Sequence, residues 1–328
     1  MSANRFEPVR LGVVGLGSFG RLHALTAAGL AEAELVALVA RRQASIDKMH
    51  RELPDVPGWI DLERAMAESD AEAWIVASST ASHVPLATSL LQAGYPLLME
   101  KPLASTLADA ERLAPLLADH PERLMMGHIL LFNSEFRQLQ AEVTQRGPLW
   151  HIDCVRHRPV ETRRLFPGES PFHLTMVHDL YSVLALVEGR EPVAFSAQVH
   201  RADDGSPDLT LAQLRWEDGL LASFTASFMT SEGLPFDGFD RMELFGQGWA
   251  ARLQANPRPL TFWDTQARSP LTLEISADPR HPSGMLAEEL RAFCRLVRGQ
   301  SPIPLGAGYQ DALQVQRWLD RLEEAAEA

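Results

Sequence analysis

Cysteine is scarce in this chain of 328 residues: Cys154 and Cys294 stand far apart, outside any C-x-x-C or Cys/His spacing. A disulfide framework and a zinc ribbon are thereby excluded, and a reducing cytoplasm fits. Positive charge is also in short supply, since 30 Lys plus Arg face 43 Asp plus Glu and leave a formal charge of −13. That is the wrong sign for wrapping nucleic acid or lying on an anionic membrane. An anionic ligand would need local guanidinium or ammonium groups. No apolar run reaches the length of a membrane span or a signal h-region, and charges fall within the first ten residues, so a soluble, unexported, cytoplasmic protein is expected. Internal repeats, low-complexity tracts and long linkers are missing too. What remains is an ordinary globular composition, 46% hydrophobic and 22% charged, on a chain long enough for two domains.

The hydrophobic period changes once along the chain. Up to about residue 130, short apolar runs ("VRLGVV", "AELVALV", "AEAWIVAS", "YPLLME", "RLMMGHIL") alternate with helical segments near 18–30, 43–53, 83–93 and 106–118. Such alternation predicts an α/β, doubly wound parallel sheet with helices on both faces. After a helix near 133–146 the pattern becomes strand after strand ("LWHIDCVRHR", "PVAFSAQVHR", "DLTLAQLRW", "LLASFTASFM", "RMELFGQGW"), broken by a helix at 171–188. In the fourth of these, Leu220, Ala222, Phe224, Ala226 and Phe228 alternate with Leu221, Ser223, Thr225 and Ser227, and the Glu217-Asp218-Gly219 turn before it predicts a hairpin. Helices near 284–298 and 308–326 close the chain. The expected division is residues 1–130 and 131–328, the second an α+β domain on a mostly antiparallel sheet.

The strongest motif lies in the first strand-helix unit. "VVGLGSFG" sets Gly15, Gly17 and Gly20 in G-x-G-x-x-G directly after a strand and at the opening of a helix. Glycine is needed there for a tight turn, for backbone approach to a pyrophosphate and for close helix packing, with the helix N-terminus facing the phosphates. Dinucleotide binding follows. The end of the second strand carries Ala40 where NAD-binding chains usually place an acid, and then Arg41 and Arg42. An absent carboxylate and a forked guanidinium suit a 2′-phosphate, so NADP is favoured with NAD possible; the alternative is a pair of solvated arginines.

Three further stretches carry candidate chemistry. Pro102 restricts Lys101 to extended backbone just after an apolar strand, which aims Lys101 at the carboxyl edge of the sheet. A surface lysine in a turn is the competing reading. On a helix through 171–188, Leu174, Val177, His178, Tyr181, Leu184 and Ala185 share one stripe, while Thr175 points away. His178 is then an inward side chain, either a packed core residue or a proton-transfer group. "VRHRPVETRRLF" concentrates Arg156, His157, Arg158, Arg163 and Arg164, which either hold an anionic group of the substrate or form ion pairs of their own. The His pairs 151/157 and 173/178 lack the i, i+4 spacing of helical ligands, so no metal is expected.

In order along the chain, "GLGSFGRLH", "MEKPLA", "MGHILLFNSEF", "HDL" and the "HPSGMLAEELRAFCRLVRGQSPIPLG" ending resemble the Gfo/Idh/MocA oxidoreductases, the glucose-fructose oxidoreductase and inositol dehydrogenase group. The resemblance implies a Rossmann domain, a second domain whose open sheet face forms a homodimer or homotetramer, and hydride transfer between NAD(P) and a sugar-like hydroxyl or keto carbon. It places Ser18 and Phe19 with the three glycines at the phosphates. Ser78, Ser79, Thr80 and His83, with Glu100, Lys101 and Pro102, fall along the cofactor. His178 becomes an acid/base group beside Lys101, and His128 joins Lys101, His178, Arg156, Arg158 and Arg163 as substrate contacts. Departures are equally visible: Leu174 replaces an aspartate four residues before the histidine, Leu131 and Ser134 replace an arginine and a proline, and Tyr181 replaces the second aspartate of H-D-x-D. The pattern also admits a redox-assisted glycosidase or lyase with tightly held nicotinamide, and a non-catalytic NADP sensor.

Overall fold

The computed structural model describes residues 7–231, 238–259, 262–263, 267–268 and 273–327. They form two compact units, the first from residues up to Phe132 together with Ile275–Leu313, the second from Asn133–Glu274 together with the segment from Gln314 onward.

The main sheet of the first unit is made of β1 (Val9–Val14), β2 (Ala33–Val39), β3 (Gly58–Trp59), β4 (Ala73–Val76), β5 (Leu97–Glu100) and β6 (Leu124–Gly127). All pair in parallel in the order β3-β2-β1-β4-β5-β6. Every residue of β4, β5 and β6 is buried, as strands covered on both faces must be. The order reverses between β1 and β4, the switch point beside which such sheets bind ligands. The helix expected at 106–118 is instead two short ones, Leu107–Glu111 and Ala114–Leu117, because Pro115 cannot donate to the ladder.

The late segment belongs to this unit, not to the second. The helix Met285–Val297 buries Leu286, Leu290 and Phe293 and packs on the helix Ser18–Gly29 and on Ile129–Phe132. Beyond it, Met126 N–H donates to the Ala307 carbonyl at 2.8 Å, and Met125 bridges Gly308, so the chain returns to cover the edge of β6. A single cut near residue 130 misses this return, since a helix's own period does not say which sheet it joins.

The second unit is built on β7 (Leu149–Pro159), β8 (Ala194–Arg201), β9 (Pro207–Arg215), β10 (Leu221–Thr230), β11 (Phe239–Gly246) and β12 (Trp249–Asn256). Their order is β12-β11-β7-β10-β9-β8, with β7 and β10 parallel and the other neighbours antiparallel. The expected alternation in β10 holds: Ala222, Phe224, Ala226 and Phe228 are buried while Leu221 is exposed. Gly219 at φ +89° closes the hairpin, with its N–H donating to the Trp216 carbonyl at 3.1 Å. Segment 171–188 is not one α-helix. A π-turn over Phe172–Met176 precedes the α-helix Val177–Leu186, which shifts the phase of everything before Val177.

Candidate functional site

The phosphate loop is a cradle that side chains would fill. Gly15 has φ +94°, and a Cβ there would lie 2.6 Å from the Ser78 backbone, while a Cβ on Gly20 would meet the Gly15 carbonyl. Both glycines are required by the close approach of β1, β4 and the following helix. Gly17 differs, because a Cβ there would meet nothing within 4 Å. It caps the helix Ser18–Gly29, whose first turn holds no acidic residue and whose cap has no side-chain hydrogen bond. Backbone N–H groups with a favourable dipole therefore face open space, the condition a pyrophosphate needs. Ser18 and Phe19 open that helix. Ala40 is buried at the end of β2, and Arg41 and Arg42 are both exposed after it.

Across the switch point, Ser78 and Ser79 lead into the helix Thr80–Gln92, held by a Ser82 hydroxyl that donates to Ser78 Oγ at 2.8 Å. His83 was expected along the cofactor, yet it is only 1% exposed. Its Nδ1 lies 2.7 Å from the Pro102 carbonyl oxygen and its Nε2 3.1 Å from that of Ser78. Burial pushes its pKa below the ordinary imidazole value, against the pull of both carbonyls. His83 is thus a strut that fixes the Lys101-Pro102 segment to the β4 turn, and Lys101 sits half-buried at the end of β5.

Glu100, also expected at the cofactor, is turned toward the interior of the unit. Its Oε1 is 2.7 Å from His23 Nε2, and the buried Glu289 of the late helix completes a group whose nitrogen and carboxylate atoms lie within 4.8 Å of one another. Among the described residues neither Glu289 oxygen has a hydrogen-bond partner. Burial, with Glu100 beside it, pushes the Glu289 carboxyl well above the usual range. These atoms are of the types that ligate divalent ions. The grouping comes from three distant segments and is invisible to ligand spacing.

His128, expected among substrate contacts, is 2% exposed, and its Nδ1 lies 2.6 Å from the Gly306 carbonyl. It ties the returning segment to the end of β6. Burial pushes its pKa down to about 4, the Gly306 carbonyl pulls it up, and the Lys101 ammonium adds a smaller downward push.

In the second unit, His178 lies on the helix Val177–Leu186, with Nδ1 2.6 Å from the hydroxyl of the fully buried Tyr181. The rings meet edge to face, centroids 5.5 Å apart. Ser182 Oγ donates to the His178 carbonyl at 2.7 Å, which fixes the backbone. The π-turn turns Thr175 inward, contrary to the single-helix expectation, and its hydroxyl donates to the Pro171 carbonyl at 2.8 Å. Tyr181, noted in the sequence as a member of the His178 stripe and as a lost aspartate, touches the histidine. Its i, i+3 spacing on the same stripe was the signal.

The basic stretch resolves into ion pairs. Arg156 Nε is 2.9 Å from Asp179 and its Nη1 3.0 Å from Asp240, with both side chains of each pair buried. Arg158 bonds Asp240 in a fork at 2.6 and 3.1 Å. Arg163 pairs with Asp204 and Ser206, and Arg164 with Glu161. Two guanidinium groups and two carboxylates balance within the buried cluster, where burial pushes Asp179 up to about 6 against the pull of Arg156. Arg156, Arg158 and Arg163, expected either to hold a substrate anion or to form ion pairs of their own, each face a carboxylate of this chain.

A glycine cradle at the switch point of a six-stranded parallel sheet defines a dinucleotide-binding Rossmann unit, to which an α+β unit is added. Residues 9–128 match the model of the Gfo/Idh/MocA oxidoreductase family, NAD-binding Rossmann fold. It is 30% identical over 175 residues to inositol 2-dehydrogenase of Agrobacterium fabrum, 52% of either chain. To inositol 2-dehydrogenase 1 of Saccharopolyspora erythraea it is 31% identical over 203 residues, 60% of this chain and 59% of that one. The chain thus matches between half and two thirds of these relatives' length. In fold it is similar to scyllo-inositol dehydrogenase from Lactobacillus casei, solved with bound NAD(H) and scyllo-inositol: the TM-score is 0.84 at 20% identity, over 98% of this chain and 97% of that one. Among the described residues no helix is long and apolar enough to cross a membrane.

Proposed function

We propose that the protein is a nicotinamide-dependent dehydrogenase or reductase that interconverts a CH–OH group and a keto group on a sugar or cyclic polyol, with NADP preferred to NAD. The observation that carries the reading is the cradle: Gly15 at a positive φ, an open Gly17 and a helix N-terminus without an acidic first turn or a side-chain cap. Names borne by the relatives support the substrate class, and Lys101 and His178 supply the groups that such a reaction needs. A bound nicotinamide gives or takes the hydride. An ammonium such as that of Lys101 stabilises negative charge developing on a substrate oxygen, and an imidazole such as that of His178 hydrogen-bonds or exchanges a proton with such an oxygen. NADP preference rests on Ala40 in place of a carboxylate, with Arg41 and Arg42 exposed beside it. The outer face of the second sheet exposes Leu211, Leu221 and Phe245, which supports a homo-oligomer formed through that face.

Titration of the purified protein with NADPH and NADH, followed by a screen of cyclic polyols, sugars and their keto forms, tests the reading. NADPH is expected to bind more tightly, and replacing Arg41 and Arg42 with Ala to weaken it by about 1–3 kcal/mol for lost charged hydrogen bonds, with NADH little changed. Equal affinities in the unmodified protein refute the preference. Absence of turnover across the whole screen refutes the activity.

A further inference from the structure

The position that would hold a carboxylate against His178 is Leu174, yet the imidazole is held. Of the polar side chains near it in sequence, most are engaged elsewhere. Thr175 gives its hydroxyl hydrogen to Pro171 O at 2.8 Å. His173 Nε2 lies 2.9 Å from Glu323. Asp179, the next residue along, pairs with Arg156 at 2.9 Å. Tyr181 lies 2.6 Å from Nδ1 through its hydroxyl, one helical turn on, with its ring wholly buried.

The geometry points to Tyr181 as the positioning residue of His178, one that donates its phenolic hydrogen to Nδ1 and so leaves the ring proton of the neutral imidazole on Nε2. The direction of the bond follows from the partners: a neutral phenol is a good donor, and an imidazole nitrogen lone pair is a good acceptor. A carboxylate in this role would do the reverse. It can only accept, so it keeps the hydrogen on Nδ1 and leaves the Nε2 lone pair as a base. Exchanging acid for phenol therefore changes what the other ring nitrogen offers. Neutral His178 presents an N–H, which suits the oxygen of a keto compound, whereas a hydroxyl hydrogen needs a different acceptor. This inference rests on the proposed dehydrogenase reading for its meaning, but the tautomer is a property of the protein alone.

The test uses the full chain labelled with 15N-histidine and long-range 15N–1H correlation at alkaline pH, where imidazoles are neutral. His178→Gln identifies the His178 signals among the 11 histidines. The unmodified protein is expected to show the Nε2–H pattern at His178. Tyr181→Phe, which keeps the ring and its packing, is expected to lose that preference. It should also cut kcat about tenfold or more while leaving NADPH affinity unchanged. An Nδ1–H pattern in the unmodified protein, or an unaltered pattern in Tyr181→Phe, overturns the assignment. The first of these measurements needs only the assignment variant His178→Gln to fold, and is independent of Tyr181→Phe. Should the Nε2–H pattern be present and no polyol or ketone be turned over, the positioning role stands and the proposed reaction fails by itself.

Discussion

His128 makes the acid stability of the first unit a measurable quantity. In the folded protein its pKa is pushed from 6.5 to about 4, chiefly by burial. Unfolding restores the ordinary value, so between these two pH values the unfolded chain binds a proton that the folded chain refuses. Stability from this residue is complete above 6.5 and drains away as pH falls through 4. The difference of roughly 2.5 pH units, at about 1.4 kcal/mol each, amounts to about 3 kcal/mol. His128→Asn places an amide N–H where Nδ1 sits, keeps a donor for the Gly306 carbonyl and does not titrate. Its packing loss adds an offset that is the same at every pH. Denaturant unfolding of both proteins from pH 7.5 to 4, read as the difference between them, should show the wild type losing about 3 kcal/mol more than the variant over the interval. A difference that does not change with pH would refute the reasoning, because it would mean that His128 titrates normally in the fold.

Three other perturbations test separate parts of the account. Lys101→Ala should lower kcat by about a hundredfold or more and change NADPH affinity little, since its contribution is greatest when charge develops on the substrate oxygen; steady-state kinetics and cofactor titration read the two separately. Gly15→Ala forces a Cβ into a φ of +94° and to 2.6 Å from Ser78, so calorimetry should show a loss of about 1–3 kcal/mol or more together with abolished cofactor binding. Glu289→Gln removes a carboxyl whose folded pKa is raised by burial, a group that favours the fold only while protonated. The variant should match the wild type near pH 4 and exceed it in thermal midpoint as pH rises to 8; a variant weakened most at pH 8 would show that the carboxylate is ionised and paired.

The parallel sheet was legible because its strands are short apolar runs set between amphipathic helices, and the antiparallel sheet because β10 alternates so cleanly. What escaped had weak or distant signals. β3 is two residues long, and the helix Leu62–Glu68 is announced mainly by Asp61, whose carboxylate accepts from Arg64 N–H at 2.8 Å. β12 follows β11 so closely that the two read as one strand. Motifs singled out His83, His128 and Arg156, but the partners that hold them, at residues 102, 306 and 240, are far away in sequence. Glu289 did leave a trace. It lies on the apolar face of its helix with Leu286, Leu290 and Phe293, and an acid in such a row implies a buried polar arrangement.

The return of residues 275–313 to the first unit governs the order in which the protein can be finished on the ribosome. Synthesis delivers all six strands of the parallel sheet early, yet β6 lacks the 306–308 segment at its edge and the His23–Glu100 pair lacks Glu289 until almost the whole chain has emerged. The second unit waits as well, because Trp216 packs edge to face with Trp318 of the closing helix. Neither unit can complete its core from an N-terminal fragment, although domains made in sequence commonly fold one after the other. Nascent chains stalled before residue 300 should therefore expose the β6 edge to chaperones and proteases. A stop codon that removes only the last fifth of the protein would cost both halves of the fold.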